Sequence, residues 1–325
     1  MEEISRAFTA FEESRELDSL QHFDQRLAHP FIQKSVSDET RRAYQRAIRE
    51  FFAHVEGLHP IDVTPAHVAS YRDRLTARGQ RAATISTKLS IIRSFFEYLR
   101  AAGTIPLNPA STKLVSPPEL PTDPAGRALS PQEVRYLLAG PDRSKAEGAR
   151  DYALMLVMLR LSLRVAEVTS LRLSSISREG RRWVLKCKIK GGKEETWPLP
   201  PDVKTAIDEY LKLDSHRRSV LHSGGPEAYL FQPGTNFRTL VFDKPLSERH
   251  VQRIVGRWGD YGQIGHVTPH DLRRTIVTEM LNRGYTYREV QMVTKHKDPK
   301  TIMRYDRARD NLDKNPVNEF TYDES

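Results

Sequence analysis

At 325 residues, 38% of them hydrophobic and 29% charged, the chain is too long for one small core and long enough for two globular domains. No apolar run approaches the roughly 20 residues that span a bilayer, the acidic start MEEISRAFTAFEESRELDSL lacks a secretory h-region, and the single cysteine, Cys187, can make neither an internal disulfide nor a cysteine-built zinc cluster, which fits a reducing cytoplasm. Lys and Arg number 51 against 42 Asp and Glu, a formal charge of +9 that makes nucleic acid a candidate partner without deciding it, since many basic proteins bind none.

Residues 1–35 read as an amphipathic, mixed-charge arm with some helix. Residues 36–115 read as a helical domain. Ser37 is placed to cap a helix running to His54, with Tyr44, Ile48, Phe51, Phe52 and Val55 on one face and Arg42, Arg46 and Arg49 on the other. Thr64-Pro65 opens a second helix, and a third runs from about Thr84 to Arg100, ending near Gly103. Residues 116–128 lie in a proline-rich stretch with little apolar periodicity, the composition of an extended linker.

A second domain, residues 129–310, opens on the capping box Ser130-Pro131-Gln132-Glu133. ARDYALMLVMLRLSLRVAEVTSLRL reads as two helices bent near Ser162–Leu163, the first apolar nearly all round and therefore buried. Trp183, Leu185, Cys187 and Ile189 then alternate with Val184, Lys186, Lys188 and Lys190. That is a strand, with Gly191-Gly192 as a hairpin turn and KEETWPL as the return. The remainder reads as helical, with starts at Thr268-Pro269, at the capping box Thr286–Glu289 and at Asp298-Pro299. Residues 311–325 form a C-terminal tail.

Several residues invite chemistry, each with a plainer reading beside it. His270 and Arg273 share one face of a helical first turn, where free N–H groups favour an anion; such a pair is more often simply solvated. Arg164 sits in an apolar stretch and needs an anionic partner, which Glu167 one turn on would satisfy. Lys190 stands at a hairpin tip, the usual place of a solvated lysine. His296 and Tyr305 flank the Asp298-Pro299 start, which would put Tyr305 two turns into a helix beside Arg304, and most tyrosines only pack.

Taken in order, LSLRVAEVTSL, then IKGGK, then TPHDLRRT, then HKDPKTIMRYDR resembles the catalytic domain of the tyrosine recombinase, or phage integrase, family of the Xer/integrase-like kind. The resemblance spans about residues 130–310, and the helical segment before it looks like that family's SAM-like core-binding domain. It implies a mainly α fold with a small β-hairpin or sheet, its two domains closing on DNA as a C-shaped clamp. By resemblance Arg164 and Arg273 are the catalytic arginines, Lys190 the hairpin lysine, His270 the first residue of the His-x-x-Arg pair, His296 the later histidine and Tyr305 the nucleophile. Two departures stand out. Ser162 replaces a glycine frequent before Leu-Arg, and Thr294-Lys295 replaces a frequent Leu-Gly.

The resemblance further implies site-specific cutting and rejoining of double-stranded DNA through a 3′-phosphotyrosyl link and a Holliday junction, with no metal, cofactor or ATP. The implied assembly is a homo-tetramer on DNA (monomer or dimer when free), off the membrane, in a bacterial or phage cytoplasm at the nucleoid. Arg42, Arg46 and Lys88 are expected to touch the DNA backbone. Val317, Phe320 and Tyr322 suit a tail that docks on a neighbouring subunit, folds back on its own domain or stays disordered. Other readings are a type IB topoisomerase or telomere resolvase, a DNA-binding protein without catalysis, and a metallohydrolase using His266, His270 and His296.

Overall fold

The computed structural model describes residues 25–35, 37–119, 126–189, 192–220, 224–234, 244–296, 298–303 and 305–306. The chain divides into two compact units, Met1–Thr122 and Asp123–Ser325.

In the first unit, helices α1 (Gln25–Gln33), α2 (Asp38–His54), α3 (Pro65–Ala77) and α4 (Ala82–Ala101) pack around aromatic side chains. Ser37 caps α2 through Thr40 N–H, and the predicted face of α2 is the buried one. The Phe51 ring meets Phe52, Tyr71 and Phe96 edge-on at centroid distances of 5.2, 5.3 and 5.9 Å, the geometry that ring quadrupoles favour. Residues 25–33, read from sequence as part of an arm, supply Ala28 and Phe31 to this core, with Phe31 stacked on Tyr44 at 5.2 Å. Arg42, Arg46 and Arg49 are exposed. Lys88, expected to touch the DNA backbone, has its ammonium 2.7 and 2.8 Å from the two carboxylate oxygens of Glu50 on α2.

The second unit is built on α6 (Ala146–Leu161), buried on nearly every side as its sequence predicts. Before it comes α5 (Pro131–Ala139), capped by Ser130 and Glu133 in a reciprocal box. After it come α7 (Val165–Ser170), strands β1 (Ile176–Glu179), β2 (Arg182–Lys188) and β3 (Glu194–Pro198), and α8 (Pro201–Val220), which packs along α6. The sheet is antiparallel in the order β1-β2-β3, with Leu185 opposite both Ile176 and Trp197. Trp183 alternates with the buried residues in sequence yet stands 40% exposed at the start of β2, under the Lys204 ammonium. Then follow α9 (Glu248–Tyr261), α10 (Pro269–Asn282), α11 (Tyr287–Thr294) and α12 (Lys300–Met303). The described residues between α8 and α9 are not helical, contrary to the reading of helix to the end.

Candidate active site

Arg273 lies on α10, whose start is fixed by Thr268 and Asp271 capping each other behind Pro269. Its side chain is 5% exposed and held by acceptors from two distant turns. Nη1–H donates to the Ser162 carbonyl, and Nη2–H donates to the Thr294 carbonyl at 2.7 Å and to His296 Nε2 at 3.0 Å. Those bonds leave Nε–H and the other Nη1–H for a ligand. Burial, followed by the neighbouring Arg164 charge, brings its pKa down to about 10, so it stays cationic at neutral pH.

Arg164 enters from the N-terminus of α7. Glu167, itself 5% exposed, accepts the Arg164 backbone N–H at 2.7 Å and its guanidinium at 2.9 Å. The expected ion pair is therefore present. It does not bury the arginine, whose side chain remains 40% exposed and lines a cavity of about 540 Å³ shared with His270 and Arg273. Two guanidinium groups directed into one pocket make a fork-shaped receptor for a tetrahedral anion such as a phosphodiester.

His270 occupies the first turn of α10 at the pocket rim. Desolvation, with Arg273, Arg274 and Arg164 against the opposing pull of Asp271, sets its pKa below the usual histidine value. The ring is thus neutral at pH 7 and able to accept a proton. Its Nε2 is 3.5 Å from the Tyr305 hydroxyl. Tyr305 does not ride two turns into a helix. α12 ends at Met303, and Tyr305 follows in a turn closed by its own N–H to the Ile302 carbonyl at 2.9 Å. Its ring rests on the apolar group Val277, Val290 and Ile302, with the Arg274 guanidinium over it at 5.2 Å.

His296 joins the set in an unexpected orientation. Nδ1 contacts Thr294 Oγ1 at 2.8 Å, and Nε2 faces the Arg273 donor, so Nε2 acts as an acceptor here. Burial and the charges of Arg273, Arg164 and His270 lower its pKa to about 4. In this geometry it orients Arg273. Lys190 lies outside the described residues, as do Arg304 and the tail. The strands that carry the Lys190 turn are nonetheless tied to the site. Trp197 Nε1–H of β3 donates to the Val293 carbonyl at 2.7 Å, and Lys295 pairs with Glu195 at 3.2 Å.

Five of the six residues singled out for catalysis are thus placed around one pocket or its rim. Sequence reasoning missed one more polar lining residue, Gln252, and named the lining His266 only as a metal ligand. Gln252 sits on the exposed face of α9 with Arg249 and Arg253, opposite the buried Val251, Ile254 and Val255. That amphipathic pattern was the available signal. Among the described residues no group of three or more His, Cys, Asp and Glu side chains is arranged to hold a metal, and His266, His270 and His296 form none.

Residues 127–311 match the model of the phage integrase family, and residues 20–103 match that of the phage integrase N-terminal SAM-like domain. A tyrosine recombinase XerC of Vibrio atlanticus is 31% identical over 278 residues, covering 84% of this chain and 84% of the relative. A tyrosine recombinase XerD of Pseudomonas putida is 30% identical over 287 residues, covering 87% and 91%. Among solved structures, a lambda integrase dimer bound to a COC′ core site superposes with a TM-score of 0.65 at 15% identity, covering 89% of this chain and 96% of that one. At that identity the likeness speaks for the fold.

Proposed function

The chain belongs to the phage integrase family of tyrosine recombinases, and on that premise we propose that it cuts and rejoins double-stranded DNA at a specific site with Tyr305 as the nucleophile. Site-specific recombination by the tyrosine mechanism is the family's enzymatic activity. The observation that carries the residue assignment is the Tyr305 hydroxyl 3.5 Å from a neutral His270, beside a pocket lined by Arg164 and Arg273.

Tyr305 Oη attacks the phosphorus of a scissile phosphodiester and its proton passes to His270 Nε2. The bond from phosphorus to the 5′ oxygen breaks, leaving a 3′-phosphotyrosyl link, and the departing oxygen takes a proton from Lys190. Attack by the 5′ hydroxyl of another strand reverses the step. Because the phosphodiester energy is kept in the link, no nucleotide is consumed. A free phenol titrates near pH 10, so transfer to His270 concerted with attack is what makes Tyr305 competent near neutrality. Arg164 and Arg273 neutralise the charge that gathers on the non-bridging oxygens. Losing one such fixed donor costs on the order of a hundredfold in rate. A strand seated in the pocket also meets the α9 face that bears Arg249, Gln252 and Arg253.

The assembly we infer is a tetramer exchanging strands through a Holliday junction on two DNA sites, in the cytoplasm of a bacterium or phage host, at the nucleoid. The match of residues 20–103 to the integrase-type N-terminal domain favours recombination over a topoisomerase. No described helix is long and apolar enough to cross a membrane.

The test is adduct trapping. The protein is incubated in EDTA with nicked duplexes tiled from its own genetic neighbourhood and run on denaturing gels. A protein–DNA band lost in Tyr305→Phe is the expected result; a band that survives the change would move the nucleophile elsewhere.

A further inference from the structure

The segment that leads into the second unit is fastened to the first two turns of α10, the helix that carries His270 and Arg273. Arg127 N–H donates to Asp271 Oδ1 at 2.9 Å, and Leu129 N–H donates to Thr275 Oγ1 at 2.9 Å. Between them Arg274 Nη1–H donates to the Gly126 carbonyl. The Arg127 side chain secures the same segment through Glu133 and the Ile264 carbonyl. Contact is so close at Gly126 that a Cβ there would lie 2.5 Å from Asp271 Oδ1 and 3.4 Å from Arg274 Nη1, and its φ of +99° is one that other residues rarely adopt.

Arg274 is 5% exposed and works in two directions. One side of its guanidinium meets the Gly126 carbonyl, and the group also lies over the Tyr305 ring at 5.2 Å. Beyond the ring is the apolar cluster of Val277, Val290 and Ile302. A cation on a ring face is attractive. A buried guanidinium that loses one of its carbonyl acceptors is drawn toward its remaining partners, and any such turn changes how Arg274 meets the Tyr305 ring.

We propose that Arg274 is a positioning residue that couples the seating of segment 126–129 on α10 to the placement of Tyr305. The proposal rests on the reading of Tyr305 as the nucleophile. When the segment is seated, Arg274 is fixed by Gly126 and holds the Tyr305 ring toward His270. When the segment lifts, the ring loses that support and cleavage slows.

The experiment uses full-length protein carrying 3-fluorotyrosine, with the Tyr305 fluorine resonance assigned by its loss in Tyr305→Phe. Gly126→Ala and Arg274→Lys are compared with the parent in three measurements: thermal unfolding, affinity for a nicked duplex, and the rate of adduct formation at saturating DNA. Both variants are expected to bind DNA normally, to form adduct at least about tenfold more slowly, as a displaced reacting group does, and to shift the Tyr305 resonance. Gly126→Ala touches neither Tyr305 nor His270, so a purely structural contact would leave that resonance in place. A folded Gly126→Ala protein with parental rate and resonance overturns the proposal. So does a slower rate with an unmoved resonance, since the segment would then act by another route. Should Arg274→Lys fail to fold, Gly126→Ala alone decides. An adduct that persists in Tyr305→Phe sinks the nucleophile assignment instead, and the resonance shift still reports whether the segment controls the ring.

Discussion

Ser162 and Lys295 have left-handed backbones, at φ 56° and 52°; the first bears one of the two carbonyls that hold Arg273, and the second follows the other. Both stand where the motif they belong to frequently has glycine. A left-handed corner before α7 aims the Ser162 carbonyl at Nη1, and another after α11 follows the Thr294 carbonyl that meets Nη2. For a residue with a Cβ such a corner costs roughly 1–2 kcal/mol. Ser162 carries a second burden, because its Oγ is buried without a hydrogen-bond partner among the described residues, a loss of about 1–3 kcal/mol when uncompensated. Against these stands the greater unfolded-state freedom of glycine, about 0.5–1 kcal/mol. Ser162→Gly should therefore stabilise the protein by roughly 1–4 kcal/mol in urea unfolding and keep its adduct rate, since the carbonyl remains. Ser162→Ala should stabilise it less, because only the hydroxyl is removed. A glycine variant that melts below the parent would show that this corner is not strained. His296 gives a second residue-scale expectation. Its folded pKa, about 4 against 6.5, is depressed by burial first and then by Arg273, Arg164 and His270. The unfolded chain then takes up a proton below pH 6.5 that the folded protein refuses. Stability is flat above that pH, falls as pH drops from 6.5 to 4 by at most about 1.4 kcal/mol per unit, and is flat again below. His270 adds in the same direction. His296→Asn should flatten that part of the profile; parallel profiles for parent and variant would refute the assignment.

At the scale of elements, what could be read in advance was whatever depends on neighbours in the chain. The reciprocal caps Ser130–Glu133 and Thr286–Glu289 are four-residue patterns and form as written. So do the apolar face of α2 and the pairing of β2 with β3, with Gly192 N–H on the Ile189 carbonyl at 3.0 Å; the predicted turn residue Gly191 lies outside the described residues. What escaped depends on partners far away. β1 is only Ile-Ser-Arg-Glu, partly exposed throughout, and becomes a strand by pairing with β2. Lys88 shares a face of its own helix with the buried Ile85, Ile92 and Phe95, and its partner Glu50 lies across the bundle, 38 residues away. α12 stops after four residues, so helical spacing misplaced Tyr305 while its order in the chain did not. The candidate site was legible as a list of residues because their chemistry is written in residue type and order. Its internal wiring was not, because the carbonyls of Ser162 and Thr294 and the role of His296 as an acceptor exist only once three segments meet.

For the molecule as a whole, the surplus of nine positive charges predicts binding to a polyanion that weakens with salt, and the structure narrows which charges of the first unit can contribute. Arg42 and Arg46 are exposed on α2, whereas the Lys88 ammonium is already neutralised by Glu50 with side-chain exposures of 20% and 30%. A phosphate would have to displace Glu50 to use Lys88 and would leave that carboxylate unpaired beside the core. Each phosphate contact contributes about 0.9 to the slope of log affinity against log salt concentration on duplex DNA. Arg42→Glu with Arg46→Glu should therefore weaken binding, measured by fluorescence anisotropy over a salt series, and reduce that slope by about 1.8. Lys88→Met should lower the melting temperature through the orphaned Glu50 and leave the slope alone. If instead Lys88→Met removes a unit of slope while the arginine reversals remove none, the DNA lies against α4 and the Glu50 pair opens on binding; if neither variant changes the slope, the first unit holds DNA by another face.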